Sequence, residues 1–408
     1  MQFRRHTLSN GLEIVSECVP GAHSMGLAFF VRTGARDESE EISGVSHFLE
    51  HMVFKGTPQR SAADVNRELD EIGSHSNAYT SEEQTVYHAA VLPEYQGRLT
   101  ELLADILRPS LRLEDFETEK SVILEEIAKY EDEPPYGAFE KCMAAYFGTH
   151  PLAKSILGTT ASVSALTPEK MRAYFEQRYS AANIVLAAAG NVDFEQLVRD
   201  TERYCGDWKQ FPVERAAPRS TAQSSFREIV RESATQQYAI QIGAGPSASD
   251  PDRYANRLLA SIVGDSSGSR LFWELVDTGR AEWAVMEAHE YQGTGIMITY
   301  LSSSPESMPE NIERARAVLR DVEQNGIRED ELLRAKSKIC SQLVLSSERP
   351  SSRMFAVGNG WIQRREYRTV RDALNAYQAV TTADISNLVE KYRLTTQTTV
   401  SIGPGSHD

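Results

Sequence analysis

Apolar residues fall at two recurrent spacings along this chain, alternating or continuous runs that mark strands and three- or four-residue steps that mark helices. The N-terminal stretch reads as a strand, a Ser9-Asn10-Gly11 turn and a returning strand from Leu12 to Val19. Met25–Gly34 is a continuous apolar run closed by glycine, as in a buried strand. A helix around His47 follows, and Ser61 caps a second helix that runs to about Ile72, where Gly73 stops it. Two strands, Ser74–Thr80 and Thr85–Leu92, then precede helices at Glu94–Leu107, Glu114–Tyr130, Pro135–Phe147 and Pro168–Tyr179. The strand Asn183–Ala189 and Gly190 end this half.

Between Gly206 and Ser225 the periodicity lapses into small, polar and turn-forming residues, the composition of a linker. The same grammar then returns. Strands at Phe226–Val230 and Gln237–Ala244 precede helices at Asp252–Val263 and Arg270–Thr278. Strands at Glu282–Tyr291 and Gly295–Ser302 lead into a helical run from Pro309 to Tyr392. The helix from Leu166 matches the helix from Val380 at an offset of 214 residues, and their closing glycines, Gly190 and Gly403, match at 213. Helix, spacing and closing strand together indicate two copies of one α+β unit. The expected division is 1–208, a linker at 209–224, and 225–408.

Composition narrows the classes. A chain of 408 residues is too long for one ordinary core, and its 41% hydrophobic and 25% charged residues are those of a globular protein. No apolar run approaches the ~20 residues of a membrane helix. The N-terminus lacks the apolar stretch of a secretory signal, and the four cysteines show no paired spacing, so reduced thiols in a cytoplasmic protein are expected. A net charge of −15 argues against nucleic-acid binding and is compatible with cationic peptides.

The candidate chemistry lies in Gly44–Thr57, which contains His47-x-x-Glu50-His51. Residues four apart on a helix lie one above the other, so the two imidazoles can each give a nitrogen to one zinc ion. Glu50 shares nearly the same face and can take a proton from an attacking water. Two histidines at this spacing are more often structural, but the surrounding Val45, Phe48, Leu49, Met52, Val53 and Phe54 mark a buried helix, where such polarity needs a partner.

A catalytic zinc site normally has a third protein ligand. The helix Glu114–Tyr130 offers several acids. With Glu119 at zero and about 100° per residue, Val122, Ile123, Phe116, Tyr130 and Ile127 span about −60° to +80°. Glu126 falls inside that arc at about −20°, whereas Glu117, Glu125 and Glu131 fall off it. Two inward carboxylates need a cation. Glu126 is therefore the candidate third ligand and Glu119 a carboxylate that orients a ligand histidine, the alternative being that both pair with basic residues.

These residues resemble the pitrilysin-type inverzincin metallopeptidases, and within them the shorter bacterial relatives of mitochondrial processing peptidase. The resemblance rests on His47–Thr57, Asn77-Ala-Tyr-Thr80 with Thr85-Val-Tyr, Glu119–Glu126 and His150–Thr159, and covers nearly the whole chain. It implies two homologous α+β domains, each a mostly antiparallel sheet packed with helices, arranged as a clamshell. It implies Zn2+ on His47, His51 and Glu126, with Glu50 moving the proton in peptide-bond hydrolysis. Extended substrate would pair with the edge strand carrying Asn77, Ala78 and Tyr79, with Phe54 nearby. Relatives of this length usually pair as dimers around a chamber that admits short or unfolded peptides. His75 and His88 are expected to pack or line a rim; His6, His23, His150, His289 and His407 carry no role.

One departure limits the resemblance. The family's second half carries an Arg and a Tyr seven residues apart that bind substrate and steady the developing oxyanion. Those places hold Val276 and Trp283 here, with Arg270 and Arg280 nearby. The expectation is a zinc endopeptidase subunit whose homologous partner chain supplies the Arg/Tyr pair. A self-sufficient homodimeric oligopeptidase and a non-catalytic peptide-binding scaffold are the alternatives.

Overall fold

The computed structural model describes residues 1–132, 134–221 and 224–404; His407 and residues 222–223 of the expected linker lie outside them. In chain order the strands are β1 (Gln2–Thr7), β2 (Glu13–Cys18), β3 (Met25–Val31), β4 (His75–Thr80), β5 (Thr85–Val91), β6 (Ile184–Gly190), β7 (Ser225–Val230), β8 (Gln237–Gly245), β9 (Trp283–Glu290), β10 (Gly295–Ser303) and β11 (Gln397–Gly403). The helices are α1 (Val45–Val53), α2 (Ala62–Glu71), α3 (Gln96–Ile106), α4 (Leu113–Asp132), α5 (Pro134–Phe147), α6 (Thr160–Ser164), α7 (Pro168–Arg178), α8 (Phe194–Cys205), α9 (Arg253–Gly264), α10 (Met308–Asn325), α11 (Glu329–Ser347), α12 (Pro350–Arg364), α13 (Val370–Ala379) and α14 (Thr382–Lys391).

Two sheets result, ordered β1-β2-β6-β3-β5-β4 and β7-β11-β8-β10-β9. Each is antiparallel apart from one parallel pair, β2 with β6 and β7 with β11. The duplicated grammar of the sequence is thus a duplicated sheet. Strands β3, β6 and β11 are buried along their whole length because helices cover both faces, which is why they read as continuous apolar runs.

The chain packs into two compact units that are not its two contiguous halves. Unit 1 comprises Met1–Ala128, Lys154–Ala216 and Val344–Arg368; unit 2 comprises Lys129–Ala153, Ala217–Leu343 and the chain from Thr369. The physical reason is the second face of each sheet. In unit 1, α12 lays Met354, Val357 and Trp361 on Val15, Phe30 and Val185, and in unit 2, α5 lays Cys142 and Tyr146 against Ile240, Ile298 and Val400. A buried ion pair recovers its desolvation cost only when fully hydrogen-bonded. Glu17 meets that condition beneath α12, accepting from Arg353 Nε at 2.7 Å and from the Tyr367 hydroxyl at 2.8 Å.

Two expectations change. α8 fills a stretch for which the sequence reading proposed no helix; Asp193 caps it, and Phe194, Leu197, Thr201 and Cys205 face inward. The helix expected over Arg270–Thr278 is short and ends in a π turn at Phe272–Val276. All four cysteines are free thiols, and among the described residues no helix is long and apolar enough to cross a membrane.

Candidate metal and catalytic site

α1 begins at Gly44, whose φ of +90° and closeness to the Leu157 carbonyl exclude a side chain: a Cβ there would lie 2.4 Å from that oxygen. The cap is supplied instead by Glu38, whose carboxylate accepts from the Gly44 and Ser46 backbone N–H groups at 2.7 and 2.8 Å. Burial pushes the Glu38 carboxyl up to about 8 even against these donors. The Ser46 hydroxyl bonds to that of Tyr174, which reaches Thr33 in turn. The first turn of α1 is therefore fixed before its chemistry begins.

The apolar side of α1 packs Phe48 against Phe116 of α4, with ring centroids 4.5 Å apart. This contact brings the acids of α4 to the imidazoles of α1. The Glu126 carboxylate lies 3.9 Å from His47 Nε2 and 3.8 Å from His51 Nε2. One ligand atom from each of the three residues falls within 4.8 Å of the others. Zinc–nitrogen bonds of about 2 Å in a tetrahedron would place such atoms about 3.4 Å apart, a small inward closure.

Glu119 sits one layer out, its Oε1 2.8 Å from His51 Nδ1 and its other oxygen 2.5 Å from Lys55 Nζ. Burial works to raise its carboxyl, but Lys55 and His51 overcome this and hold it below the usual carboxylate range. With Nδ1–H donating to Glu119, His51 turns the lone pair of Nε2 toward the Glu126 carboxylate. Two acceptors facing each other at 3.8 Å suit a cation between them. Among the described residues, buried His47 Nδ1 has no hydrogen-bond partner, and burial beside His51 lowers this imidazole's affinity for protons to about 3, so it is a neutral donor. The donor set fits zinc.

Glu50 accepts a hydrogen bond of 2.9 Å from Thr80 Oγ1 on β4. Burial raises its carboxyl above the usual range, Glu126 adds to the rise, and Thr80 and His51 oppose it. The sequence pattern alone assigns Thr80 no part in the candidate site; its contact with Glu50 does. Thr80 closes the quoted Asn77–Thr80 run, and strand alternation puts it on the α1 side of the sheet.

The same alternation sends Tyr79 to the other face, where its ring lies 6.2 Å from Phe355 of α12 and its hydroxyl accepts from Gln84. His88 packs there too, 4.9 Å from Phe355. Asn77 and His75 are exposed, Ala78 is half-buried against the α1 side, and Phe54 is half-buried against Tyr87. Strand β4 is the edge of its sheet, with β5 on one side only. On α4, Glu117, Glu125 and Glu131 are exposed as expected, but so is Val122, which the helical wheel had turned inward.

Residues 13–160 match the family described as Insulinase (Peptidase family M16), and residues 165–339 match the Peptidase M16 inactive domain. An uncharacterised zinc protease of Mycobacterium tuberculosis is 32% identical over 397 residues, covering 96% of this chain and 90% of that protein. The chain belongs to peptidase family M16. A second relative, an uncharacterised zinc protease of Rickettsia felis, is 30% identical over 98% of both chains. The fold matches a protease from Helicobacter pylori with a TM-score of 0.91 at 20% identity, covering 98% of this chain and 99% of that one.

Within this M16 chain the second-half departures have definite surroundings. Val276 ends the π turn, packed against the unit 2 core. Trp283 opens β9, 53% exposed, with its ring stacked 6.3 Å from Tyr300 in a cleft of about 790 Å³ that also takes in Phe139 and Glu287. Arg270 is committed to both oxygens of Glu331, at 2.9 and 2.8 Å, and to Asp321 at 2.8 Å. Arg280 pairs with Glu310 at 3.1 Å.

Proposed function

We propose that this chain is a zinc-dependent endopeptidase for short or unfolded peptides, and the catalytic subunit of a pair whose second, homologous chain supplies an Arg/Tyr substrate clamp. The observation that carries the hydrolytic reading is the convergence of His47, His51 and Glu126 beside a Glu50 held by Thr80. His47, His51 and Glu126 would hold Zn2+, which when bound supplies Lewis-acid polarisation of a scissile carbonyl. Glu50 takes the proton from the attacking water and returns it to the leaving amine, a role suited to a carboxyl whose affinity for protons is raised. Thr80 steadies its carboxylate throughout. The free edge of β4 offers main-chain pairing to an extended peptide, with Asn77, Ala78 and Tyr79 along the contact; a folded protein cannot add such a strand.

Support for a partner comes from the two arginines. Neither Arg270 nor Arg280 is free to replace the missing clamp, since both hold carboxylates of their own. A self-sufficient homodimer would require Trp283 alone to serve, through its indole N–H and ring face. The Glu50→Gln variant tests the core of the reading. It is expected to retain zinc by metal analysis and to lose about 10²–10⁴-fold in peptide hydrolysis, because an amide cannot accept the proton. Zinc-free wild-type protein with no exchangeable metal would leave only the scaffold reading. Full activity of the isolated wild-type chain would remove the partner.

A further inference from the structure

Outside the M16 site, unit 1 holds a second concavity of about 720 Å³ where the end of α3 meets α7 and the segment after α8. Arg108 forms its floor, and the surroundings of that side chain are unusual. Its guanidinium carbon lies 3.6 Å from the centre of the Trp208 ring and 5.3 Å from that of Phe175. Burial pushes the guanidinium down to about 10, which leaves it charged at neutral pH.

A desolvated cation of this kind normally meets a carboxylate. Arg108 pairs with none: among the described residues its side chain donates one hydrogen bond, to the Leu107 carbonyl at 2.9 Å, and the exposed Asp207 attracts it without forming an ion pair. Three carboxylates line the cleft. Asp105 is taken by Arg60 and Thr57, each at 2.8 Å, while Glu176 and Asp207 are exposed at the rim. The aromatic faces recover part of the desolvation cost, but they leave the remaining N–H donors without an oxygen acceptor. The Arg108 side chain is half-buried and lines the cleft. Tyr179, buried and stacked on Phe175 with ring centroids 4.7 Å apart, and the half-buried Tyr204 add further aromatic surface to the lining. The volume is that of a site for a small organic molecule.

We propose that this cleft binds a small oxyanion carried on a flat unsaturated ring, a phosphate or carboxylate that Arg108 receives in its fork while the ring lies against the aromatic wall. Planar guanidinium donors match either oxyanion, and a ring supplies the apolar contact that a free anion lacks. The site uses no residue of the proposed peptidase centre, so it stands or falls separately from that function.

Isothermal titration of the wild-type chain with phenyl phosphate, benzoate and inorganic phosphate tests it. Phenyl phosphate or benzoate is expected to bind saturably and more tightly than inorganic phosphate, and whichever binds better names the oxyanion. Arg108→Gln should weaken that binding by about tenfold or more, the value of a charged hydrogen bond, with zinc content unchanged. Should Arg108→Gln fail to fold, Tyr204→Ala in the aromatic lining carries the same comparison, judged at unchanged melting temperature. No saturable binding of any probe, or equal binding by wild type and the folded variant, overturns the proposal.

Discussion

α1 and α9 hold the same place in two copies of one scaffold, and they have been put to opposite uses. Each follows a central strand of its sheet, β3 or β8, and each precedes the hairpin that opens with an edge strand, β4 or β9. α9 turns Ala255, Leu258, Leu259, Ile262 and Val263 inward, all 5% exposed or less. It also comes so close to β9 that a Cβ on Gly264 would lie 2.1 Å from the Met286 nitrogen. α1 leaves room between itself and β4, and fills it with Glu50 and Thr80. Closure of that gap gives a stable helix with no chemistry. Keeping it open gives a helix with buried polar groups arranged as a candidate metal and catalytic site.

The strongest way to break this comparison is to put α1's chemistry into α9. Leu258→Glu buries a carboxylate where neither a cation nor a Thr80 awaits it, and should cost more than about 4 kcal/mol. Chemical denaturation would register this as a lowered urea midpoint. A variant that unfolds like wild type would mean that α9 has polar capacity after all. Next in size is Glu119→Gln. It keeps the shape but gives up the charge that orients His51 and holds Lys55, so zinc affinity should fall by about 10–100-fold. Competition with a chelator measures it, and an unchanged affinity would remove Glu119 from the site.

The comparison also runs the other way. Glu50→Leu makes α1 more like α9, relieving a carboxyl that burial disfavours, and should stabilise the metal-free chain by about 1 kcal/mol while abolishing hydrolysis. A lower urea midpoint for this variant would contradict the view that α1 sacrifices stability for its chemistry.

What the sequence made legible follows from range. The strands, the repeat, His47-x-x-Glu50-His51 and the inward place of Glu126 on its helix are patterns within elements or between two short ones. α8 carries its Asp193 cap and inward stripe openly, and was obscured only by adjacency to the polar stretch from Gly206. The exchange of α5 and α12 between units is different in kind. Each helix has an apolar face that would suit either sheet, and only three-dimensional packing decides which it covers. Thr80 was hidden for a similar reason: a threonine at a strand end has no signature until the side chain it faces is known. Val122 shows the limit of a helical wheel, which gives a direction but not whether anything lies there.

The smallest expected effect concerns what the two units share. Arg60 precedes α2 as Arg270 precedes the π turn, and each gathers carboxylates that brace the chain after its helix. Arg60 holds Glu68, Glu101 and Asp105, and Arg270 holds Glu331 and Asp321. Burial tends to raise the carboxyls of Glu101 and Glu331, but hydrogen bonds from the arginines dominate and hold both below their ordinary value of 4.5. A carboxyl depressed in the folded state stabilises it above the unfolded value, and that stabilisation disappears as pH falls through the folded one. The stability gap between wild type and Glu101→Gln, read from urea midpoints, should therefore narrow from about pH 6 to about pH 3. Glu331→Gln should behave alike, because its hub has the same build in a unit with no chemistry. If only Glu101 responds, the two hubs are not equivalents, and the bracing of α1 has diverged along with its catalytic face.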